Sequence, residues 1–178
     1  MVAQKNTGTT AELTRQIQNI KNSSNAGGGS IGQLAQQGNP LAFEFAKPTV
    51  PDLNYSFSGL KTSVLYFLQK QAPDFIENNK ADLCASVQYT IVTILLKKLK
   101  KAMQTTGIKE ICIAGGVSAN SGLRKGIQVL GDKMQAKVYL PQFQYCTDNA
   151  AMIAIAAHYK YLAGAFDSLD TTDSARSN

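Results

Sequence analysis

The sequence predicts an α/β fold that contains a βαβ unit with two parallel strands. A β-branched run over 111–114 ends in two glycines and predicts the first strand. The stretch that follows carries Leu123, Ile127 and Leu130 at helical spacing. The run AKVYLP over 136–141 predicts the second strand, and the order strand, helix, strand implies a right-handed crossover between parallel neighbours.

The composition indicates one packed domain in a reducing compartment. The chain has 178 residues, of which 44% are hydrophobic, and this is enough for one sizeable core. Its three cysteines, Cys84, Cys112 and Cys146, form no C-x-x-C pair and do not suggest a disulfide framework. We see neither a secretory signal nor an apolar run long enough to span a membrane, so we expect a cytoplasmic protein.

The first 25 residues differ from the rest, because they are rich in Asn, Gln, Ser, Thr and Gly. A short helix is predicted over 10–21, and the SSNAGGGS stretch after it is typical of a linker. We therefore expect 1–25 to lie outside the globular domain. The polar tail over 166–178 is predicted to be disordered.

The stretch between residues 31 and 70 predicts two helices joined by an extended segment. IGQLAQQGNP has the pattern of a helix that Gly38 and Pro40 bring to an end. LAFEFAKP alternates apolar and polar side chains and predicts a short strand. Ser58 has the side chain of an N-cap, and the apolar residues after it recur at helical spacing.

A single long helix is predicted from about residue 79 to residue 105. Its apolar stripe consists of Leu83, Val87, Ile91, Ile94, Leu95, Leu99 and Met103. Four lysines, Lys97, Lys98, Lys100 and Lys101, lie towards its C-terminal end. They can form a solvated face whose charges complement the helix dipole, or a surface that contacts RNA. The net charge of +6 fits both interpretations.

Two loops follow the predicted strands, AGGVSAN over 114–120 and QYCTDN after the second strand. Ligands bind beyond the carboxyl ends of the strands in open α/β sheets, so we expect these loops to lie side by side. Gly115 and Gly116 allow a ligand to approach the backbone, and Ser118 or Asn120 can cap the next helix or contact a nucleotide. Alternatively, the glycines only turn the strand into the helix, because no complete G-x-G-x-x-G or Walker motif is present.

CTDN opens a predicted helix of small residues that we expect to pack against the sheet. Asp148 can be the N-cap of that helix, or a metal ligand at the carboxyl end of a strand. His158 is the only histidine, so a structural or surface role is expected for it. Cys146 has no apparent histidine partner, and we do not predict that it is a nucleophile.

Four stretches, in the same order along the chain, resemble one family. LAQQGNP (34–40), NYSFSGLKTS (54–63), AGGVSANSGLR (114–124) and YCTDNAAMIA (145–154) resemble the tRNA threonylcarbamoyladenosine transferase family, called TsaD or Gcp in bacteria. The resemblance covers about residues 26–165. Several long motifs in register are much more specific than any one of them.

The resemblance implies an actin-like ATPase (ribonuclease H-like) fold, of which this chain would be the second lobe, a βαβ core with a helical insert. It implies transfer of a threonylcarbamoyl group from threonylcarbamoyl-adenylate to the N6 amine of an adenosine next to the anticodon of tRNA. Asn120, Gly115, Gly116 and Gly28 would contact the adenylate, and Asp148 would be one ligand of an iron or zinc ion. The implied partners are tRNA and the scaffold and ATPase subunits of the same modification machinery.

The sequence also departs from the family pattern. Family members are much longer, and the half that this chain lacks carries a two-histidine metal motif, a Ser-Gly-Gly phosphate loop and an acidic residue that binds ribose. Gly29 stands where the family has a proline after Gly28. We therefore expect a second lobe that has no transferase activity alone.

Three functions remain open. The first is the second lobe of this transferase. The second is a non-catalytic lobe that binds tRNA or partner subunits through the lysines over 97–101. The third is another actin-like phosphotransferase, such as a sugar or acetate kinase, against which SFSGLKTS argues.

Overall fold

The computed structural model describes residues 29–168 and residue 170, which contain six α-helices and one sheet of two strands. The helices are α1 (Gly29–Ala35), α2 (Ser58–Gln69), α3 (Phe75–Asn78), α4 (Lys80–Thr106), α5 (Ser121–Met134) and α6 (Ala150–Leu162). The strands are β1 (Glu110–Cys112) and β2 (Lys137–Tyr139), and short 3-10 helices span Gly116–Ala119 and Phe143–Tyr145. The helix predicted over 10–21, Gly28 and most of the tail over 166–178 lie outside the described residues.

The two strands pair in parallel, with Ile111 opposite Val138 and Cys112 opposite Tyr139. Helix α5 connects them, so the predicted βαβ unit is confirmed. Both strands have only three residues. The sheet therefore contributes a short platform, and most of the core lies between helices.

Helix α4 is the central element of the fold. It spans nearly the predicted range and ends at Gly107, which adopts the left-handed conformation (φ 72°) that favours glycine. Its residues belong to three buried clusters on different sides of the helix. Burial on several sides explains why a 27-residue helix is stable, since tertiary packing supplies most of a helix's stability.

One cluster joins α4 to the βαβ unit. Its buried members are Met103, Ile111, Leu123, Ile127 and Leu130. Leu123, Ile127 and Leu130 are the α5 residues that the helical spacing in the sequence predicted on one face. This cluster fixes α5 across the sheet and so determines where the loop before α5 lies.

A second cluster packs α2 and the segment before it against α4. Phe45, Leu60, Leu83 and Ile94 are buried there. Phe43 and Phe45 both point into this cluster while Glu44 is exposed, but neither phenylalanine lies in a strand. The prediction of a strand in LAFEFAKP is therefore wrong. The alternation of apolar and polar residues reflects which side chains are buried. Among the described residues, no strand pairs with the backbone of this segment.

Two further predictions are corrected at helix ends and surfaces. Ser58 is the first helical residue of α2, and the capping position is held by Phe57 without a side-chain hydrogen bond. Helix α6 does not pack against the sheet, because none of its residues is buried. Several of its apolar side chains are strongly exposed, including Ile153 at 74% and Leu162 at 65%. Within the described residues, no helix is long and apolar enough to cross a membrane.

Candidate functional site

The loop between β1 and α5 begins with a glycine that its conformation requires. Gly115 has φ 79° and ψ 175°, a region of backbone space that only glycine adopts readily. Gly116 has no such requirement, and a Cβ at either glycine would meet no atom within 4 Å. Gly115 therefore serves the turn, whereas Gly116 leaves an open surface beside the backbone. The turn interpretation is confirmed for Gly115, and approach of a ligand to the backbone at Gly116 stays a prediction.

Ser118 and Asn120 stabilise this loop from within. The Ser118 hydroxyl is buried and donates to the Gly115 carbonyl at 2.6 Å. The Asn120 side-chain oxygen accepts from the backbone N–H of Leu123 at 2.9 Å, so Asn120 is the N-cap of α5. These bonds fix the orientation of the exposed glycine backbone.

The amide nitrogen of Asn120 also has a partner. It donates to the Gln88 side-chain oxygen at 2.7 Å, across to the central helix α4. Gln36, just after α1, donates to the Ser121 hydroxyl at 3.1 Å. The start of α5 is thus attached to two other elements of the fold by side-chain amides. The side-chain oxygen and nitrogen of Asn120 thus each form a hydrogen bond within the protein.

Arg124 joins the two loops that follow the strands. Its Nη1 donates to the Ser118 carbonyl at 2.9 Å, and its Nη2 donates to the Pro141 carbonyl at 2.7 Å. The guanidinium lies over the Phe143 ring at 4.5 Å from the centroid. One side chain therefore holds AGGVSAN against the segment after β2, and the predicted adjacency of the two loops is confirmed.

Two of the three cysteines, Cys84 and Cys146, are buried, and Cys146 lies beside Arg124. Cys146 is buried, accepts a long contact from Arg124 Nη1 at 3.9 Å, and donates to the Gln142 carbonyl. Cys84 is buried in α4, and that burial raises the pKa of its thiol above the ordinary value, although the Lys80 charge acts in the opposite direction. A buried thiol with a raised pKa is a poor nucleophile, so Cys84 has a structural role.

Asp148 is not the cap of α6. The N-cap is Asn149, whose side-chain oxygen accepts from the Met152 backbone N–H at 3.1 Å. Asp148 is exposed and makes no hydrogen bond or ion pair with any other described residue. The capping interpretation of Asp148 is therefore wrong, and its carboxylate is free to bind something else.

The described residues do not assemble a complete metal site around that carboxylate. Among them, no group of three His, Cys, Asp or Glu side chains is placed to hold a metal ion. His158 is exposed on α6, where its ring contacts Tyr159. One carboxylate alone does not fit a resident iron or zinc ion, which takes at least three protein ligands in such sites.

Sequence reasoning found the two loops but missed the residues that connect them. Arg124 was part of a motif, yet nothing in its spacing indicated a contact with the segment after β2. Gln88 lies on the predicted long helix, 32 positions before Asn120. The sequence feature that could have identified Gln88 is its polar side chain next to the apolar stripe of the long helix. Gly28 is among the residues that the structure does not describe.

Comparisons with known proteins agree on one family. The family model for tRNA N6-adenosine threonylcarbamoyltransferase (TsaD) matches residues 3–155. This range includes most of the segment 1–25, which the motifs had left outside the resemblance, so the domain boundaries remain a prediction.

Three curated relatives carry the name tRNA N6-adenosine threonylcarbamoyltransferase. The relative from Christiangramia forsetii is 52% identical over 153 residues, which are 84% of this chain and 45% of the relative. The relative from Phocaeicola vulgatus is 54% identical, over 81% of this chain and 43% of its own length. The relative from Porphyromonas gingivalis is 51% identical, over 84% of this chain and 45% of its own length. The chain thus spans less than half the length of these relatives, and it belongs to the tRNA N6-adenosine threonylcarbamoyltransferase family.

Proposed function

We propose that this chain forms the second lobe of an actin-like, ribonuclease H-like enzyme that transfers a threonylcarbamoyl group to tRNA. The acceptor is the N6 amine of the adenosine next to the anticodon, and the donor is threonylcarbamoyl-adenylate. The names of the relatives support this reaction class. In the transfer, N6 attacks the carbamoyl carbon, the bond between that carbon and the phosphate oxygen breaks, AMP leaves with the bonding electrons, and N6 releases a proton to water.

The observation that carries this proposal is the pair of loops held together by Arg124 at the carboxyl ends of β1 and β2. This edge of a parallel sheet is where nucleotides bind in open α/β folds. The arginine contacts fix both loops before a ligand arrives. A fixed site lowers the entropic cost of orienting donor and acceptor, which matters because an adenosine amine is a weak nucleophile.

The proposed adenylate-binding surface is the backbone of Gly115 and Gly116. Open space beside both glycines lets a nucleoside approach the main chain. Asn120 is proposed to contact the nucleoside as well, with the N–H and the oxygen lone pair of its side-chain amide that remain after the bonds to Gln88 and Leu123. Gly28, near the N-terminal end of the domain sequence, is also proposed to contact the nucleotide.

Asp148 is the proposed metal ligand of this lobe. Its exposed carboxylate lies on the loop after β2, with no described partner. Iron or zinc would need further ligands from outside the described residues, so this chain alone does not define the metal or its role. The scaffold and ATPase subunits of the modification machinery are proposed partners.

The test is a chimera in which this chain replaces the matching part of the Phocaeicola vulgatus relative. We expect the chimera to form threonylcarbamoyladenosine in tRNA, measured by mass spectrometry of the digested nucleosides. Asp148→Asn should abolish the product because it removes the free carboxylate. The same change at Asp132, which is exposed on α5, should leave the product unchanged.

The chain without the rest of the relative is the second control, and we expect no product from it. A folded chimera that modifies no tRNA would contradict the proposed function. Equal activity of the Asp148 and Asp132 variants would contradict the role of Asp148 alone.

A further inference from the structure

A basic groove lies between α4 and the segment over 47–50. It is a cavity of about 410 Å³ with eleven lining residues. Five of these are lysines, namely Lys47, Lys97, Lys98, Lys100 and Lys101. No Asp or Glu belongs to the described lining, so the positive charges are concentrated without acidic side chains between them.

The helix dipole does not account for these lysines. The last turn of α4 contains no basic residue, and the dipole acts within about one turn of the helix end. Ion pairs do not account for them either. Within the described residues, Lys47 lies 4.0 Å from Glu44, which is 92% exposed, whereas Lys97, Lys100 and Lys101 have no acidic partner.

Lys98 differs from its neighbours because it is buried. Its Nζ donates to the carbonyls of Val50 and Asp52 at 2.6 and 2.7 Å. These bonds hold the segment that forms the opposite wall of the groove. Asp52 has φ 52°, so this wall includes a backbone conformation that L residues rarely adopt without support. The groove is therefore a fixed feature of the fold rather than a chance gap.

Three exposed lysines of the groove form no ion pair within the described residues. Lys97, Lys100 and Lys101 lie one helical turn or less apart on α4, and all three are exposed. Their ammonium groups are compact positive charges that contact phosphates without reading bases. Several such charges facing one groove attract a polyanion more strongly than scattered charges do.

We propose that this groove binds the phosphate backbone of RNA. The proposal rests on the proposed function, since it assigns to tRNA a surface of this chain outside the Arg124 loops. Binding there requires no particular base sequence. It orients the RNA relative to α4, whose other residues contact α5 through the shared core.

The experiment compares tRNA affinity of the full chain with that of a triple variant, Lys97→Gln, Lys100→Gln and Lys101→Gln, over a range of salt concentrations. We expect the affinity at low salt to fall about tenfold or more, and the slope of log affinity against log salt to fall by about 2 to 3. Thermal unfolding should be unchanged, because the three side chains are exposed.

A matched control removes the same number of charges elsewhere. It substitutes glutamine at three exposed lysines on α2, after α2 and on α5, namely Lys61, Lys70 and Lys133. This control should retain nearly the wild-type affinity and slope. Equal losses in both triple variants would overturn the groove in favour of general charge attraction.

Two other results would also overturn the proposal. One is tRNA binding that the groove variant leaves intact, which would contradict the groove but not the transfer reaction. The other is competition by polyglutamate as effective as that by tRNA, which would assign the groove to an acidic peptide. The chimera assay decides the transfer reaction separately, so failure of either proposal can be recognised.

Discussion

At the residue scale, Arg124 has the most contacts in the candidate site. It donates to two carbonyls from segments on either side of α5 and lies over an aromatic ring. A guanidinium can make these contacts at once because its donors are fixed in one plane. A lysine carries all its donors on one nitrogen, which cannot occupy the positions of both Nη1 and Nη2.

We therefore predict that Arg124→Lys lowers the free energy of unfolding by about 1–3 kcal/mol, since at least one part-buried carbonyl loses its partner. Chemical denaturation of the purified chain measures this change. Lys125→Met is the matched control, because Lys125 is the exposed neighbour on the same helix. An Arg124 variant as stable as that control would show that the two loops are held by other contacts.

At the scale of elements, Gly38 allows the chain after α1 to lie close to the backbone of α4. Gly38 follows α1, and a Cβ there would lie 2.6 Å from the backbone nitrogen of Asp82 and would overlap the Ala81 carbonyl. These atoms belong to the backbone of α4 and cannot move aside as a side chain does. The Asn39 backbone N–H then donates to the Asp82 carboxylate at 2.7 Å, which fixes the contact.

Gly38→Ala should therefore destabilise the protein by about 1–3 kcal/mol, the usual cost of overpacking. Gly116→Ala provides the contrast, because its Cβ meets no atom within 4 Å and its φ is not positive. We expect its stability to be unchanged or slightly higher. Thermal melts of both variants give the comparison, and equal melting temperatures would disprove the role of Gly38.

At the scale of the whole molecule, α6 is the element that the described fold leaves unpacked. All of its residues are exposed, including large apolar side chains such as Ile153, Tyr159 and Leu162. Contiguous exposed apolar surface of this kind promotes association in solution. Because α6 contributes nothing to the buried clusters, its side chains can be changed without loss of core packing.

The double variant Ile153→Lys, Leu162→Lys should thus self-associate less at high protein concentration and bind less of a hydrophobic dye. Its free energy of unfolding should stay within about 0.5 kcal/mol of the wild type. Light scattering after size exclusion measures the association. Ile108→Lys, at an apolar residue 57% exposed outside α6, is the control and should not alter it. Unchanged association of the double variant would mean that the exposed apolar residues of α6 do not mediate self-association.

Local patterns in the sequence predicted the βαβ unit, the long helix and the positions of both loops, and the four motifs predicted the family. Helical and strand periodicity report burial, and glycine and asparagine report turns and caps, so these features are local. Periodicity failed at LAFEFAKP, where burial alternates without a neighbouring strand. It also failed at α6, whose small and apolar residues predicted packing that the described residues do not provide.

The three-dimensional structure was needed to see which side chains meet across the fold. It assigned the cap of α6 to Asn149 and left Asp148 free, brought Gln88 to Asn120, and placed Arg124 between two loops. It also showed that Lys98 is buried while Lys97, Lys100 and Lys101 are exposed. The physical reason is that the contacts of Gln88 with Asn120 and of Arg124 with Pro141 join residues distant in the chain. Their geometry depends on how α4, α5 and the sheet pack, which no local pattern encodes.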